Sequence, residues 1–156
     1  MNRLLALLVI VLGVVCLGAG SFFIYQGVQK NNYIVTNIKD EGVTLGLTPD
    51  QITQGQVIYT ADQLQAAAEK VKADRHQIAP SYQAALGGKQ FDPGNQKELL
   101  YAQAMNLENY LYSGVLAYGV VQIVEGVGAI FIVIAVALWA IGIVLWRLAR
   151  RRESSF

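Results

Sequence analysis

Two long apolar runs restrict what this chain can fold into more than any other feature of its sequence. The first run covers residues 4–25 and the second covers residues 115–146. A helix that crosses the hydrocarbon core of a bilayer needs about 20 apolar residues, and each run meets that requirement. Because 54% of the residues are hydrophobic and the apolar residues are concentrated in these two runs, the sequence predicts two transmembrane helices rather than a soluble domain.

The stretch between the runs is polar and carries nearly all the acidic residues, so we expect a small folded domain there. The predicted fold is all-α: a two-helix transmembrane hairpin whose long helices project into a small helical extracytoplasmic domain. The predicted segments are an N-terminus 1–3, a transmembrane helix 4–26, an extracytoplasmic domain 27–114, a second long helix 115–146 with its membrane part at about 126–146, and a basic tail 147–156.

Basic residues near the ends of the runs predict the orientation in the membrane. Arg3 precedes the first run, and the tail after the second run contains Arg147, Arg150, Arg151 and Arg152. Cytoplasmic flanks collect Lys and Arg, so both termini are expected in the cytoplasm of a bacterial cell and the central domain outside its cytoplasmic membrane. The arginines are interpreted as topology anchors against lipid headgroups. With a net charge of +1, nothing in the composition indicates nucleic-acid binding.

A cleaved signal peptide is the alternative interpretation of the first run, since Arg3, an apolar stretch and "GAGS" follow one another. The apolar core of such a peptide spans about 7–15 residues, and this run is longer. The run is therefore interpreted as a retained membrane anchor.

Capping motifs predict where the helices between the runs begin. Thr48 with Gln51, and Thr60 with Gln63, have the spacing of a capping box. Pro80 is expected to interrupt the second of these helices near residues 78–79.

The last helix can begin at Asp92 or at Asn95, with Glu98 completing the cap in the second case. No strong helix breaker follows it, so it is expected to continue into the second run.

Glu125 is a single carboxylate inside the second run, and counting along the helix predicts its depth. Trp146 followed by Arg147 marks the inner interface. About 30 Å of helix counted back from there ends near Gly126. Glu125 is therefore expected at the outer interface, and the apolar residues 115–124 are expected above the membrane, covered by the outer domain.

Polar residues on the same helix face extend this prediction. Tyr118, Gln122 and Glu125 follow i, i+4, i+7 spacing. Tyr25 and Gln26 of the first helix are expected opposite them. We interpret these five residues as an interfacial polar cluster with a hydrogen bond from Glu125 to Tyr25 or Gln26; the alternative is a proton-handling or ligand site.

Small residues recur every seven positions in both runs, which permits helices to approach closely. The two stripes, predicted to face each other, are Ala6, Gly13 and Gly20 in the first run, and Gly128, Ala135 and Gly142 in the second.

No set of residues predicts catalysis. His76 is the one histidine in the chain, whereas a non-haem iron or catalytic zinc site usually needs more than one such ligand. Tyr101, Glu108 and Tyr112 share roughly one helix face and are interpreted as core packing, with a quinone or aromatic ligand as the alternative. The sequence thus predicts no catalytic, cofactor-binding or metal-binding residues.

The segments "YQAALGGKQFDP" and "YAQAMNLENYLYSGVLAYGVVQIVEGVG" carry a resemblance. They resemble small two-span proteins from actinobacteria and Chloroflexota-like bacteria, many of which are labelled aromatic ring-opening dioxygenase. The resemblance covers roughly residues 56–130 and implies the two-span architecture, but it transfers no catalytic residue.

The expected function is that of a structural or accessory membrane protein, either a homo-oligomer or a small subunit of a larger membrane complex. A two-span sensor is the first alternative, although the tail 147–156 is short for an output domain. A channel subunit is the second, although neither run has a continuous polar face. A metal-dependent oxygenase is disfavoured because the chain has too few ligands.

Overall fold

The computed structural model describes the backbone of residues 3–153 and the side chains of residues 3–151. Regular structure in this part of the chain consists of α1 (Arg3–Asp40), α2 (Pro49–Thr53), α3 (Ala61–Ile78), α4 (Tyr82–Leu86) and α5 (Gln96–Glu153). No β-strand occurs among the described residues, so the predicted all-α class is confirmed. The first two and last three residues of the predicted cytoplasmic ends lie outside the described residues, as does the side chain of Arg152.

α1 and α5 are long and apolar enough to cross a membrane. They contain 38 and 58 residues, and their most apolar 18-residue windows have mean hydropathies of 2.7 and 2.9. At about 1.5 Å per residue, both helices are longer than the ~30 Å hydrocarbon core. Only 11% and 17% of those windows are buried, whereas a core helix of a soluble protein would be buried for most of its length.

The chain divides into two compact units. The terminal unit consists of Met1–Asn31 and Val120–Phe156, and the central unit consists of Asn32–Gly119. The sequence had placed the limits of the corresponding central domain at residues 27 and 114. Each long helix contributes residues to both units.

Capping boxes begin two helices of the central unit, as predicted. The Thr48 backbone N–H donates to Gln51 Oε1 at 2.9 Å, and Thr48 Oγ1 accepts from the Gln51 N–H at 3.4 Å. Thr60 and Gln63 make the same reciprocal pair at 3.2 and 3.3 Å. Each box satisfies backbone donors that a helix start would otherwise leave unpaired.

Pro80 interrupts the helical pattern where the sequence predicted. α3 ends at Ile78, and α4 starts after Ser81, whose hydroxyl caps it. The left-handed backbone of Gly87, with φ of 59°, ends α4, a conformation that glycine adopts without steric cost.

Asn95, not Asp92, caps the start of α5. Asn95 Oδ1 accepts from the Lys97 N–H at 3.1 Å, and Asn95 Nδ2 donates to Glu98 Oε1 at 2.8 Å. The other carboxylate oxygen of Glu98 accepts from the Asp92 N–H at 2.7 Å. Glu98 is 5% exposed, so its carboxylate is a buried link between the preceding loop and the helix.

The central unit has an apolar core that α3 supplies on one face. Leu64, Ala68 and Val71, which share one face of the helix by their spacing, are buried there and form its apolar stripe. They pack with Ile38 of α1 and Leu111 of α5, among other buried residues. Burying a large aliphatic side chain stabilises a fold by about 2 kcal/mol, so this cluster is the main source of stability of the unit.

Candidate functional site

The close contact of α1 with α5 in the terminal unit is the first candidate site. The helices run in opposite directions, since Ile10 meets Gly142 near one end and Gly27 meets Glu125 near the other. The two backbones lie directly against each other at Gly20 and Gly128. A Cβ placed on Gly20 would lie 2.7 Å from the Gly128 carbonyl oxygen, and one on Gly128 would lie 2.8 Å from the Gly20 oxygen. Only glycine permits this approach, because a backbone oxygen obstructs a Cβ at each position and, unlike the nearby Ile132 and Ile24 side chains, cannot turn aside.

The structure brings the other small residues of the two stripes into the same contact surface between α1 and α5, called the seam below. Ala6 and Ala135 are 1% and 0% exposed. Gly13 lies under the Trp139 indole, whose Cδ1 would be 2.5 Å from an added Cβ, and Gly142 lies under the Ile10 side chain.

Small residues thus oppose large ones over much of the seam. Trp139 also donates from Nε1 to the Ile10 carbonyl oxygen at 3.3 Å. The sequence interpretation used small residues alone and missed Trp139; its spacing of four from Ala135 and three from Gly142 is the signal that places it on this face.

Glu125, half-buried, lies against Gly27 of α1. A Cβ on Gly27 would be 2.4 Å from Glu125 Cγ and 3.1 Å from Oε1. Among the described residues, no hydrogen bond joins Glu125 to Tyr25 or Gln26, so that expected contact is not found. The side chain of Glu125 instead packs over the space that Gly27 leaves open.

The remaining members of the predicted polar cluster have other partners or are exposed. The Tyr25 hydroxyl accepts a hydrogen bond from Gln29 Nε2 one turn along α1. Gln122 is exposed and Gln26 is half-buried. In the central unit, the Tyr118 hydroxyl donates to the Tyr59 carbonyl oxygen. Whether the five residues act together stays a prediction.

The apolar residues just before Glu125 are not all covered. Val115 packs against the core of the central unit, and Val121 is buried. Leu116, Val120 and Ile123 are instead 71%, 61% and 68% exposed. Leu116, which belongs to the central unit, is therefore not covered by it, and coverage of residues 120–124 by the outer domain stays a prediction.

A largely buried ion pair in the central unit is the second candidate site. Arg75 of α3 donates from Nε to Glu108 Oε2 at 2.8 Å, and the two side chains are 12% and 10% exposed. Arg75 Nη1 also donates to the Tyr101 hydroxyl. The hydrogen bond to Glu108, opposed by burial, raises the pKa of Arg75 above its ordinary value.

Aromatic packing completes this network. The guanidinium carbon of Arg75 lies 4.9 Å from the centre of the Tyr101 ring, and the Tyr82 ring lies 6.0 Å from it. Tyr101 is 1% exposed. Arg75 of α3 donates to both Glu108 and Tyr101 of α5, so the arrangement joins α3 to α5.

Sequence reasoning did not single out Arg75, although a signal was present. Arg75 stands four residues after Val71 and three before Ile78, which is a position on the apolar stripe of α3. Glu108 likewise stands between Ala104 and Leu111 on the buried face of α5. When two helices carry opposite charges on their buried faces, an ion pair between them is predicted, because an isolated buried charge is costly.

An open apolar cleft of about 170 Å³ lies in the central unit beside the main core. Ile34, Ile38 and Leu64 line it together with Tyr110. Burial, with a smaller contribution from the Glu41 carboxylate, raises the pKa of Tyr110. The polar side chains at the cleft bond to their own helices: Asn37 donates to the Tyr33 carbonyl and Ser113 to the Asn109 carbonyl.

The other predicted residues lie on the surface. His76 is exposed, as are Arg147, Arg150 and Arg151 in the last turns of α5. Over the described part of the chain, no three His, Cys, Asp or Glu side chains are placed to hold a metal ion.

Comparison of the chain with protein-family models, with curated proteins and with solved structures found no match in any of the three. The resemblance to two-span bacterial proteins stays a prediction.

Proposed function

We propose that this chain is a structural or accessory integral membrane protein, acting as a homo-oligomer or as a small subunit of a larger membrane complex. In this proposal, α1 and α5 form a transmembrane hairpin in the bacterial cytoplasmic membrane. Both termini are cytoplasmic, and the central unit is extracytoplasmic and provides surface for other proteins.

The observation that carries the proposal is the exposed apolar surface of the two long helices. The most apolar 18-residue window of each helix is the part least compatible with water. Nevertheless, only 11% of that window in α1 and 17% in α5 is buried. Exposed aliphatic surface of this extent is stable when lipid covers it. The pairing of α1 with α5 through small residues is also the way in which helices associate inside a bilayer, where the hydrophobic effect does not drive them together.

Charge supports the proposed orientation. The last turns of α5 carry exposed arginines directly after Trp146, a combination that favours the cytoplasmic interface. The hydrocarbon-spanning part of α5 then ends close to Glu125 on the outer side.

Exposed aromatic and aliphatic side chains of the central unit support a role in assembly. Arg75, Glu108 and Tyr101 are bonded to one another within the unit, whereas several large apolar side chains face outward. These include Tyr33, Phe91, Leu100 and Leu116, which are 66%, 40%, 47% and 71% exposed. Aromatic and large aliphatic residues are the side chains that form the centres of protein interfaces.

Native purification tests the proposal. The full-length protein is expressed in a bacterium, membranes are stripped at alkaline pH, and the retained protein is extracted in mild detergent for native mass spectrometry. We expect the chain to stay with the stripped membranes and to be recovered with further copies or with another membrane protein. Release at alkaline pH, or recovery only as a monomer without partners, would contradict the proposal.

A further inference from the structure

α5 carries a second pattern with a seven-residue repeat, and this pattern indicates which partner the helix binds. The sequence from residue 119 reads "GVVQIVE" and then "GVGAIFI", so Gly, Val and Ile recur at the same places in successive sevens. The repeat continues with aliphatic residues to the end of the run. We call the following residues the aliphatic stripe: Val120, Ile123, Val127, Ile130, Ile134, Ala137, Ile141, Val144 and Leu148.

The aliphatic stripe is a different face of α5 from the one that contacts α1. Contacts with α1 involve Glu125, Gly128, Ile132, Ala135, Trp139 and Gly142. At about 100° per residue, the two sets are centred roughly 150° apart around the helix. The large residues of the stripe are exposed, for example Val120 at 61%, Ile130 at 60% and Ile141 at 52%.

From these observations we propose that the aliphatic stripe binds a second copy of this chain, α5 against α5 in parallel. The proposal rests on the membrane placement given under Proposed function and specifies the partner. Apolar residues, mainly β-branched, at alternating spacings of three and four fit the seam of a parallel coiled coil. Copies inserted in one membrane share their orientation, so identical residues meet across a symmetric interface.

The size of the stripe fits such an interface. A standard stable interface buries about 800 Å² per partner. The large side chains of the stripe are each 37–68% exposed and extend over about 42 Å of helix, which is long enough for a contact of that size. The stripe also carries no charge. Glu125, the one acidic residue in the run, lies against Gly27 on the other face, so its carboxylate stays outside the contact between two copies.

The outer end of the stripe favours a second copy over lipid as the covering surface. Val120 and Ile123 precede Glu125, where the hydrocarbon-spanning part of α5 is proposed to end, and they are 61% and 68% exposed. Gly126 adjoins them, and a Cβ added there would meet no atom within 4 Å. A neighbouring helix could therefore approach closely at this level.

Cysteine cross-linking tests the inference with a matched pair of sites. In a Cys16→Ser background, Ile130→Cys lies on the stripe and Val136→Cys lies off it, although the original side chains are 60% and 58% exposed. The full-length variants are placed in phosphatidylcholine and phosphatidylglycerol vesicles and oxidised with copper phenanthroline. We expect at least fivefold more disulfide-linked dimer from Ile130→Cys. Equal yields from the two sites, or none from either, would overturn the inference.

A bulky substitution gives an independent readout. Gly126→Leu and Gly18→Leu both place their Cβ where no other atom of the same copy lies within 4 Å, so each single chain should still fold. Energy transfer between labelled copies in vesicles should fall severalfold for Gly126→Leu and stay at the wild-type level for Gly18→Leu. Unchanged transfer for Gly126→Leu would overturn the proposed seam.

Flotation of the same vesicles separates this inference from the proposed function. Protein that floats with the lipid but fails both tests contradicts only the proposed contact between the α5 helices of two copies. Protein that does not float contradicts the membrane placement itself. Recovery of a complex with another protein and a single copy of this chain would overturn self-association and leave the accessory role intact.

Discussion

At the scale of single residues, the ion pair of Arg75 and Glu108 is the most consequential contact of the central unit. Removing one partner of such a pair leaves an uncompensated charge, which costs more than the pair contributes. We expect Glu108→Gln to destabilise the full-length protein in detergent by about 3 kcal/mol, measured as a lower midpoint of unfolding followed by near-ultraviolet circular dichroism.

Controls separate the ion pair from a general effect of charge. Glu69→Gln, at an exposed position, should change stability by less than about 0.5 kcal/mol. The double variant Arg75→Met, Glu108→Met should recover most of the lost stability, because apolar side chains can replace a buried pair. Equal effects of Glu108→Gln and Glu69→Gln would refute a stabilising role for the pair.

Particular residues also show which contacts could be predicted from the sequence and which could not. The cap residues Thr48 and Thr60 were predictable because capping depends on neighbours within three positions. The Arg75 contact joins residues 33 positions apart, and only the packed fold brings them together. The expected hydrogen bond of Glu125 failed for a related reason: helical spacing gives the face of a residue but not the space left by Gly27 opposite it.

At the scale of helices, the contact between α1 and α5 requires that their backbones touch directly, with no side chain between them. Gly20→Ala would place a Cβ 2.7 Å from the Gly128 carbonyl oxygen, so the helices must separate locally. Overpacking of this kind costs about 1–3 kcal/mol. We expect a lower thermal midpoint for Gly20→Ala in detergent.

Gly18→Ala is the matched control in the same helix, because a Cβ there meets no atom within 4 Å. It should leave the midpoint unchanged or raise it slightly, since alanine favours helix more than glycine does. If both substitutions lower the midpoint equally, close packing at Gly20 is not the cause.

The start of α3 allows a third prediction. Thr60→Ala removes the hydroxyl that accepts from the Gln63 N–H, and loss of such a cap costs about 1 kcal/mol. Thr60→Ser should retain most of the stability, because serine provides the same acceptor. Hydrogen exchange of the first-turn amides of α3 is the measurement. Equal exchange rates in Thr60→Ala and Thr60→Ser would argue against the cap.

At the scale of the whole molecule, the all-α class and the two long helices were predictable from apolar run length and helix propensity alone. The exposed face of α5 could not be predicted, because the periodicity of a uniformly apolar run does not show which face of the helix a neighbouring helix covers. The structure leaves Leu116, Val120 and Ile123 exposed, and this exposure led to the proposed contact between copies.

The proposal that α1 and α5 span the membrane and place the central unit outside it is tested most directly by cysteine labelling in whole cells. In a Cys16→Ser background, His76→Cys lies in the central unit and Arg150→Cys lies near the end of α5, both at exposed positions. We predict that a membrane-impermeant maleimide labels His76→Cys in intact cells and labels Arg150→Cys only after the cells are permeabilised. Labelling of both sites in intact cells, of neither until permeabilisation, or of Arg150→Cys alone would contradict the account.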